Sequence, residues 1–148
     1  MQLTRHTDYA FRLLIDLAAR GGERTQIAQV AAAQDISHSH LMKVVNRLVH
    51  AGIVDAARGR GGGIRLARDP HDINLADIVR TTEPRCPMVD CGGCKLARRC
   101  RLPAVLDRAA DAFITTLARF TLADILPPAQ ERASPPRTAG PAALRANL

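Results

Sequence analysis

Residues 37–50 read SHSHLMKVVNRLVH, and this segment constrains what the rest of the chain can form. Apolar residues recur in it at intervals of three and four, the spacing that places side chains on one face of a helix. Ser37 is a residue type that caps helix N-termini, and Gly52 follows where the pattern ends. The apolar face consists of Leu41, Val44, Val45, Leu48 and Val49. We therefore predict an amphipathic helix.

The opposite face of this helix carries small hydroxyls, imidazoles, an amide and bases. Such side chains reach base edges and phosphates when a helix lies in the major groove of DNA. An ordinary surface helix with a solvated charged face is the alternative when the helix is considered alone. The residues predicted to contact DNA from this helix are Ser37, His38, Ser39, His40, Lys43 and Arg47.

Two helices are predicted upstream of this segment. Residues 3–20 carry an apolar stripe that ends at Gly21, and Thr25 is placed to cap a shorter second helix. The turn that follows has Asp35 at a position where many helix-turn-helix proteins have glycine. Asp tolerates a left-handed backbone better than most residues, so a helix-turn-helix unit is compatible with it.

A glycine-rich hairpin is predicted downstream. Residues 53–57 and 64–67 read as two short strands, and the connecting residues 58–63 are RGRGGG. The glycines let the backbone approach phosphates, while Arg58, Arg60 and Arg65 supply positive charge and an arginine can enter a narrow minor groove. A nucleotide-binding P-loop is excluded because no Lys-Ser or Lys-Thr pair and no helix follow the glycines. The hairpin is therefore predicted to be the wing of a winged helix-turn-helix.

The second half of the chain contains two further helical patterns. Asn74 is placed to cap a helix that runs to about Thr82, and Pro103 opens a long apolar stripe, too extensive for one small domain to cover. We predict a mainly α fold, with a two-stranded wing and a long C-terminal dimerisation helix. The predicted division is 1–82 for DNA binding, 83–101 for a cysteine-rich loop, 102–126 for the dimerisation helix and 127–148 for a disordered, proline-rich tail.

Composition supports this interpretation. Hydrophobic residues make up 47% of the 148 residues but aromatic residues only 3%, as in a core of aliphatic helices. The net charge is +7, and residues 36–68 contain six bases and one acid, which favours a polyanionic partner. With no apolar run near the roughly 20 residues of a membrane span and no signal-peptide pattern, we expect a cytoplasmic protein without a membrane partner. No catalytic motif is present, so an enzyme is not expected.

Four cysteines lie close together in the pattern Cys86-x4-Cys91-x2-Cys94-x5-Cys100. In a reducing compartment such a group indicates metal ligands or redox thiols in preference to structural disulfides. Zinc and iron-sulfur clusters both accept four sulfur ligands, so the ligand type does not choose between them, and free thiols are a third interpretation.

Several motifs together resemble those of the NsrR-like repressors, which belong to the same family as IscR. The resemblance extends over about residues 1–126. Its motifs are MQLT at 1–4, TDYA at 7–10, LMKVVN at 41–46, RGRGGGIRL at 58–66, INL at 73–75, DIVR at 77–80, CRL at 100–102 and TLAD at 121–124.

The resemblance implies a homodimer that binds a palindromic double-stranded DNA operator. It also implies an iron-sulfur cluster, 4Fe-4S in preference to 2Fe-2S, that reacts with nitric oxide and thereby releases the DNA. The cluster ligands implied are Cys91, Cys94, Cys100 and, from the other subunit, Asp8. The gap of two residues between Cys91 and Cys94 is shorter than the family leads us to expect, and Cys86 is an additional thiol upstream. An all-cysteine site within one subunit is therefore the alternative.

Three other functions fit parts of this pattern. A regulator of the same family would respond to iron-sulfur supply or redox state instead of nitric oxide. A zinc-stabilised DNA-binding module would hold the metal with all four cysteines and have no sensing role. An electron-transfer protein is disfavoured because the wing and the recognition face would then have no purpose.

Overall fold

The computed structural model describes residues 3–83, 89–96 and 99–128. Within these ranges, no helix is both long enough and apolar enough to cross a bilayer. The helices are α1 (Arg5–Ala19), α2 (Ile27–Ala33), α3 (His38–His50), α4 (Leu75–Thr82) and α5 (Leu102–Leu117); the strands are β1 (Val54–Ala57) and β2 (Gly63–Leu66); short 3-10 turns occupy Pro70–Asp72 and Leu122–Ile125.

The core forms where α1 packs against both α3 and α4. The predicted apolar stripe of α3 faces this core, although Val49 is only partly buried there. The turn between α2 and α3 contains Asp35 with a φ of 52°, so the left-handed backbone expected there is confirmed. Core residues that are almost fully buried include Leu13, Leu14, Leu17, Val30, Leu41, Val44, Leu48 and Ile78.

Two predicted helix caps differ from the structure. Helix α2 begins after Gln26 and not after Thr25, because the backbone of Thr25 exchanges hydrogen bonds with Ile64 on β2, at 3.0 and 2.8 Å. Ser37 does occupy the N-cap position of α3, but its hydroxyl lies 2.9 Å from the hydroxyl of Ser39 and makes no bond to the helix backbone. In both cases a competing partner replaces the predicted cap bond.

The two strands form an antiparallel hairpin, which confirms the predicted wing. Asp55 faces Arg65 across the hairpin, and Arg24, which precedes α2, donates to Asp55 over 2.6 Å and to the carbonyl of Gly63 over 3.0 Å. Gln26 donates to the carbonyl of Gly62 over 2.9 Å. These bonds fix the wing against the start of α2.

The last helix is shorter than the sequence predicts. The dimerisation helix is predicted over 102–126, but α5 ends at Leu117 and the chain turns back onto α1 and the 3-10 turn at Pro70–Asp72. There Leu122 is completely buried, and its backbone N–H donates to the carbonyl of Ile73 over 2.8 Å. The side chain of Asn74 caps α4 as predicted and also donates to the carbonyl of Ala118 over 2.8 Å. Burying Leu122 requires this turn, which the helical periodicity of the stripe does not reveal.

Part of the predicted C-terminal tail lies outside the described residues. The structure describes its first two residues, Pro127 and Pro128, and not residues 129–148. Disorder of the tail therefore stays a prediction.

The close contact between the wing and α2 gives the first testable prediction. Gly63 has a φ of +136°, and a Cβ placed on it would lie 2.5 Å from the carbonyl oxygen of Thr25. Gly63→Ala should lower the free energy of unfolding by about 1–3 kcal/mol because the backbone must move or remain strained. Chemical denaturation measures this change.

Gly93→Ala is the matched control, since a Cβ at Gly93 would meet no atom within 4 Å. If both variants unfold at the same denaturant concentration as the original chain, the contact between the wing and α2 contributes nothing to stability.

Candidate DNA-binding face and cysteine loop

The exposed surface of α3 is divided by its neighbours. The wing lies on one side, where a groove of about 550 Å³ separates it from α2 and α3 and is lined by Val45, Asn46 and Val49 of α3. On the other side α3 packs against α4. Between these contacts a strip of the helix remains open to solvent, and this strip is available for a groove of DNA.

The residues predicted to contact DNA at the N-terminal end of α3 are exposed. They are Ser37, His38, Ser39 and His40, and they occupy the N-cap and the first turn of the helix. Lys43 is exposed one turn further along and forms no salt bridge or side-chain hydrogen bond with the described residues. A helix that enters the major groove presents its N-terminal residues to the base edges, and these positions meet that condition.

The three predicted wing arginines differ in their electrostatic environment. Arg58 and Arg60 are exposed and form no salt bridge within the part of the chain that the structure describes. Arg65 donates to Asp55 over 3.1 Å. Hydrogen bonds from Arg65 and Arg24 hold the pKa of Asp55 below its ordinary value, so this carboxylate is ionised at neutral pH and offsets the charge of Arg65.

Arg47 does not share the environment of the other predicted contacts. Its Nη1 donates to the backbone carbonyl of Thr82, the last residue of α4, over 3.1 Å. The structure thus places the guanidinium of Arg47 on the side of α3 that faces α4; we call α3 the recognition helix because it carries the predicted DNA contacts.

Sequence reasoning did not identify the residues that hold the wing in place. Arg24 and Gln26 bind the strands from a position about 30 residues upstream of β1, and no local pattern indicates such a contact. One signal was present, because Asp55 is the single acid in a strongly basic stretch. A lone carboxylate among cations indicates an ion pair that positions them.

Three of the four cysteines lie in the described part of the loop between α4 and α5. Cys91 is half-buried, whereas Cys94 and Cys100 are exposed, and all three are free thiols. A backbone hydrogen bond of 3.3 Å from Cys94 to Cys91 closes a turn, and the N–H of Leu102 donates to the sulfur of Cys100 over 3.4 Å. Cys86 lies outside the described residues.

The donor chemistry of this loop fits a thiophilic metal group. The turn keeps Cys91 and Cys94 on one short segment, and the N–H of Leu102 donates to the sulfur of Cys100, a hydrogen bond of the kind that orients a metal ligand. Beside Cys91, a cavity of about 320 Å³ lies between the loop and α5. Within residues 3–83, 89–96 and 99–128, no three His, Cys, Asp or Glu side chains converge on one point, so the described thiols do not form a finished ligand set.

The predicted oxygen ligand, Asp8, lies on the first turn of α1. Its carboxylate forms a 3.0 Å salt bridge with Arg12, one turn further along, and about half of its side chain is exposed. An exposed i,i+4 pair of this kind stabilises a helix by only about 0.3–0.5 kcal/mol. Breaking the pair with Arg12 would therefore lower helix stability only slightly, and the Asp8 carboxylate is accessible to another subunit.

Helix α5 presents an apolar face that the described residues cover only in part. It has no buried residue, although its stripe of apolar side chains follows helical spacing. Leu102 is 51% exposed and Val105 is 59% exposed. An apolar helix face of this length is typical of a protein interface.

Comparison with known proteins agrees with this architecture. A family model described as Rrf2, an iron-dependent transcriptional regulator, matches residues 3–128. The HTH-type transcriptional regulator NsrR of Bacillus subtilis is 46% identical over 132 residues, which cover 85% of this chain and 90% of that protein. Its namesake in Geobacillus kaustophilus is 43% identical over 140 residues, which cover 90% of this chain and 93% of that protein.

Two solved structures of regulators are also similar to this chain. The global cysteine regulator CymR of B. subtilis is 28% identical with a TM-score of 0.65, and the match covers 88% of this chain and 98% of CymR. IscR of T. potens is 25% identical with a TM-score of 0.66, and the match covers 95% of this chain and 93% of IscR. The family consists of transcriptional regulators and not of enzymes. The winged helix-turn-helix chain described above therefore belongs to the Rrf2 family of iron-dependent transcriptional regulators.

Proposed function

We propose that this Rrf2 regulator is a homodimeric repressor that binds a palindromic operator and releases it when an iron-sulfur cluster in the cysteine loop reacts with nitric oxide. The observation that carries the proposal is the group of free thiols at Cys91, Cys94 and Cys100, which lies on the chain segment that leaves the DNA-binding domain. The description of the family as iron-dependent and the similarity to NsrR proteins support the choice of metal and signal.

DNA binding is proposed to rest on the exposed strip of α3 and on the tip of the wing. Lys43, Arg58 and Arg60 form no ion pair within the described ranges, so their charges are available to phosphates. The N-terminal residues of α3 are proposed to face base edges, where serine and histidine side chains exchange hydrogen bonds with bases. Arg65 contributes less, because Asp55 already offsets its charge.

The cluster is proposed to be held by the thiolates of Cys91, Cys94 and Cys100, with a fourth ligand from Asp8 of the partner subunit or from Cys86. Four ligands suit a 2Fe-2S and a 4Fe-4S cluster equally, and we favour the 4Fe-4S form because the resemblance to the NsrR-like repressors implies it. When bound, the cluster supplies the iron that reacts with nitric oxide. The turn between Cys91 and Cys94 and the N–H of Leu102 would orient the sulfur ligands.

Dimerisation is proposed to occur through the apolar face of α5. No residue of this helix is buried in the single chain, and Leu102 and Val105 are more than half exposed, so pairing with a second copy would remove apolar surface from water. A second copy of the chain is also needed to supply Asp8 as a cluster ligand. The same pairing gives two recognition helices with twofold symmetry, which is the symmetry of a palindromic operator.

The direct test of the proposed function combines colour, metal content and DNA release. The full chain purified without oxygen should be brown, should contain iron and sulfide, and should release its operator on titration with nitric oxide. A colourless protein that contains zinc would contradict the sensing function. Operator release on iron depletion, with no effect of nitric oxide, would indicate a sensor of cluster supply instead.

The fourth ligand is tested with two variants. If Asp8 is the ligand, Asp8→Asn should change the visible spectrum of the cluster and the amount of nitric oxide needed for release, and Cys86→Ser should not. Asp16→Asn is the matched control, because Asp16 forms the same i,i+4 pair with Arg20 on the same helix. Loss of the cluster in Cys86→Ser alone would assign the ligand to Cys86.

The wing is tested by removing one unpaired charge. Arg60→Ala should weaken operator binding and reduce the slope of log affinity against log salt by about 0.9, the contribution of one phosphate contact. Fluorescence anisotropy over a range of salt concentrations measures both quantities. Arg20→Ala, which removes an arginine from the end of α1, should leave the slope unchanged. An unaltered slope in Arg60→Ala would exclude a phosphate contact at the wing tip.

The interface is tested by placing a charge on the exposed apolar stripe. Val105→Asp should produce monomers in sedimentation equilibrium, since burying an unpaired carboxylate at an interface costs several kcal/mol. Ala104→Asp is the matched control, because Ala104 is exposed and lies on the side of α5 opposite the middle of the apolar stripe. An intact dimer in Val105→Asp would place the interface elsewhere.

A further inference from the structure

The recognition helix is bonded to the segment from which the cysteine loop begins. Arg47, near the C-terminal end of α3, donates its Nη1 to the carbonyl oxygen of Thr82 over 3.1 Å. Thr82 is the last residue of α4, where carbonyl groups have no partner within the helix and a cation is favoured. Arg47 therefore fixes the end of α3 to the end of α4.

The end of α4 is bonded in turn to the start of α1. The hydroxyls of Thr7 and Thr82 lie 2.8 Å apart, and both residues are buried, with 0% and 1% of their surface exposed. One carboxylate oxygen of Glu83 accepts three hydrogen bonds, from the N–H of Thr4 over 2.7 Å, from the hydroxyl of Thr4 over 3.1 Å and from the hydroxyl of Thr7 over 2.5 Å. Thr7 and Thr82 are buried whereas Thr4 and Glu83 are half-buried, and a network whose buried groups all have partners favours one geometry.

This network lies between the cysteine loop and Asp8 of the same chain, which in the proposed dimer would serve two different clusters. The chain continues from Glu83 into the segment that contains the cysteines, and Asp8 follows Thr7 directly. A displacement of the loop or of Asp8 therefore acts first on Thr7, Thr82 and Glu83. The next bond along the path is the one from the carbonyl of Thr82 to Arg47 on the recognition helix.

We propose that Arg47 is a positioning residue that couples the cysteine loop to the recognition helix within one subunit. This inference rests on the proposed function, because it requires the loop to have a cluster-loaded and a cluster-free state. The coupling acts through Glu83 and Thr82 on the orientation of α3, and Arg47 makes no essential contact with DNA.

A role of Arg47 in DNA binding predicts a different result. A phosphate contact would add about 0.9 to the salt slope in both states of the loop, and its removal would weaken both states equally. Removal of a coupling residue changes the difference in operator affinity between the cluster-loaded and cluster-free forms and leaves the salt slope unchanged. The two roles are therefore separated by measuring affinity against salt with and without the cluster.

The experiment uses the full chain in its cluster-loaded and cluster-free forms. Arg47→Met removes the donor and keeps the aliphatic length, and Lys43→Met makes the same change one turn earlier on the same helix. For Arg47→Met we expect the ratio of the operator affinities of the two forms to fall by about fivefold or more. The salt slope should stay unchanged. For Lys43→Met we expect the ratio to be retained and the slope to fall by about 0.9.

Hydrogen exchange gives a readout that does not depend on DNA. In the original chain, removal of the cluster should alter the exchange of amides in both α1 and α3. In Arg47→Met the change should persist in α1 and be lost from α3. Glu83→Gln, which leaves every residue of α3 in place, should also reduce the affinity ratio, and it keeps the test available if Arg47→Met does not fold.

The outcomes separate this inference from the proposed function. If the original chain binds its operator equally well with and without the cluster, both the proposed function and the coupling are overturned. If the original chain shows a difference that Arg47→Met retains, the coupling alone is overturned. A retained difference together with a smaller salt slope would make Arg47 a DNA contact.

Discussion

The apolar face of α1 is the contact on which the other elements depend. Leu13, Leu14 and Leu17 are buried between α3 and α4, and α1 also contacts β2. Burial of one such side chain stabilises the fold by roughly 1.5–3 kcal/mol, and with few aromatic residues in the chain these leucines supply much of the core. Because α1 packs against both α3 and α4, it holds the recognition helix beside the helix at whose end the cysteine loop begins.

The elements that follow from local periodicity were predicted well, and those that depend on distant partners were not. The stripe of α3 and the left-handed turn at Asp35 are encoded within a few residues, so the sequence alone reveals them. The start of α2 depends on a backbone bridge between Thr25 and Ile64, and the end of α5 depends on the burial of Leu122 against a distant helix. Neither contact leaves a pattern in the neighbouring sequence.

The same distinction applies to the charges of the candidate site. Residues 36–68 contain six bases, but three of them already have partners: Arg47 with Thr82, Arg65 with Asp55 and Arg68 with the carbonyl of Gly52. Counting charges therefore overestimates the cationic groups available to DNA. The remaining cations are Lys43, Arg58 and Arg60, and they lie at two separate places, the open strip of α3 and the tip of the wing. The sequence revealed the region of the interface, and side-chain geometry was needed to divide it.

In the proposed function, the position of the cysteine loop would allow one short segment to affect both DNA binding and assembly. It begins at the end of α4, whose inner face is buried in the core, and it ends at α5, none of whose residues is buried. Its first end is bonded to the recognition helix through Thr82, and its second end opens the proposed dimer interface. In the proposed function, a cluster bound by the loop would hold these two ends in a fixed relation. The spacing of two recognition helices in a dimer is sensitive to that relation, because operator half-sites lie about 34–36 Å apart.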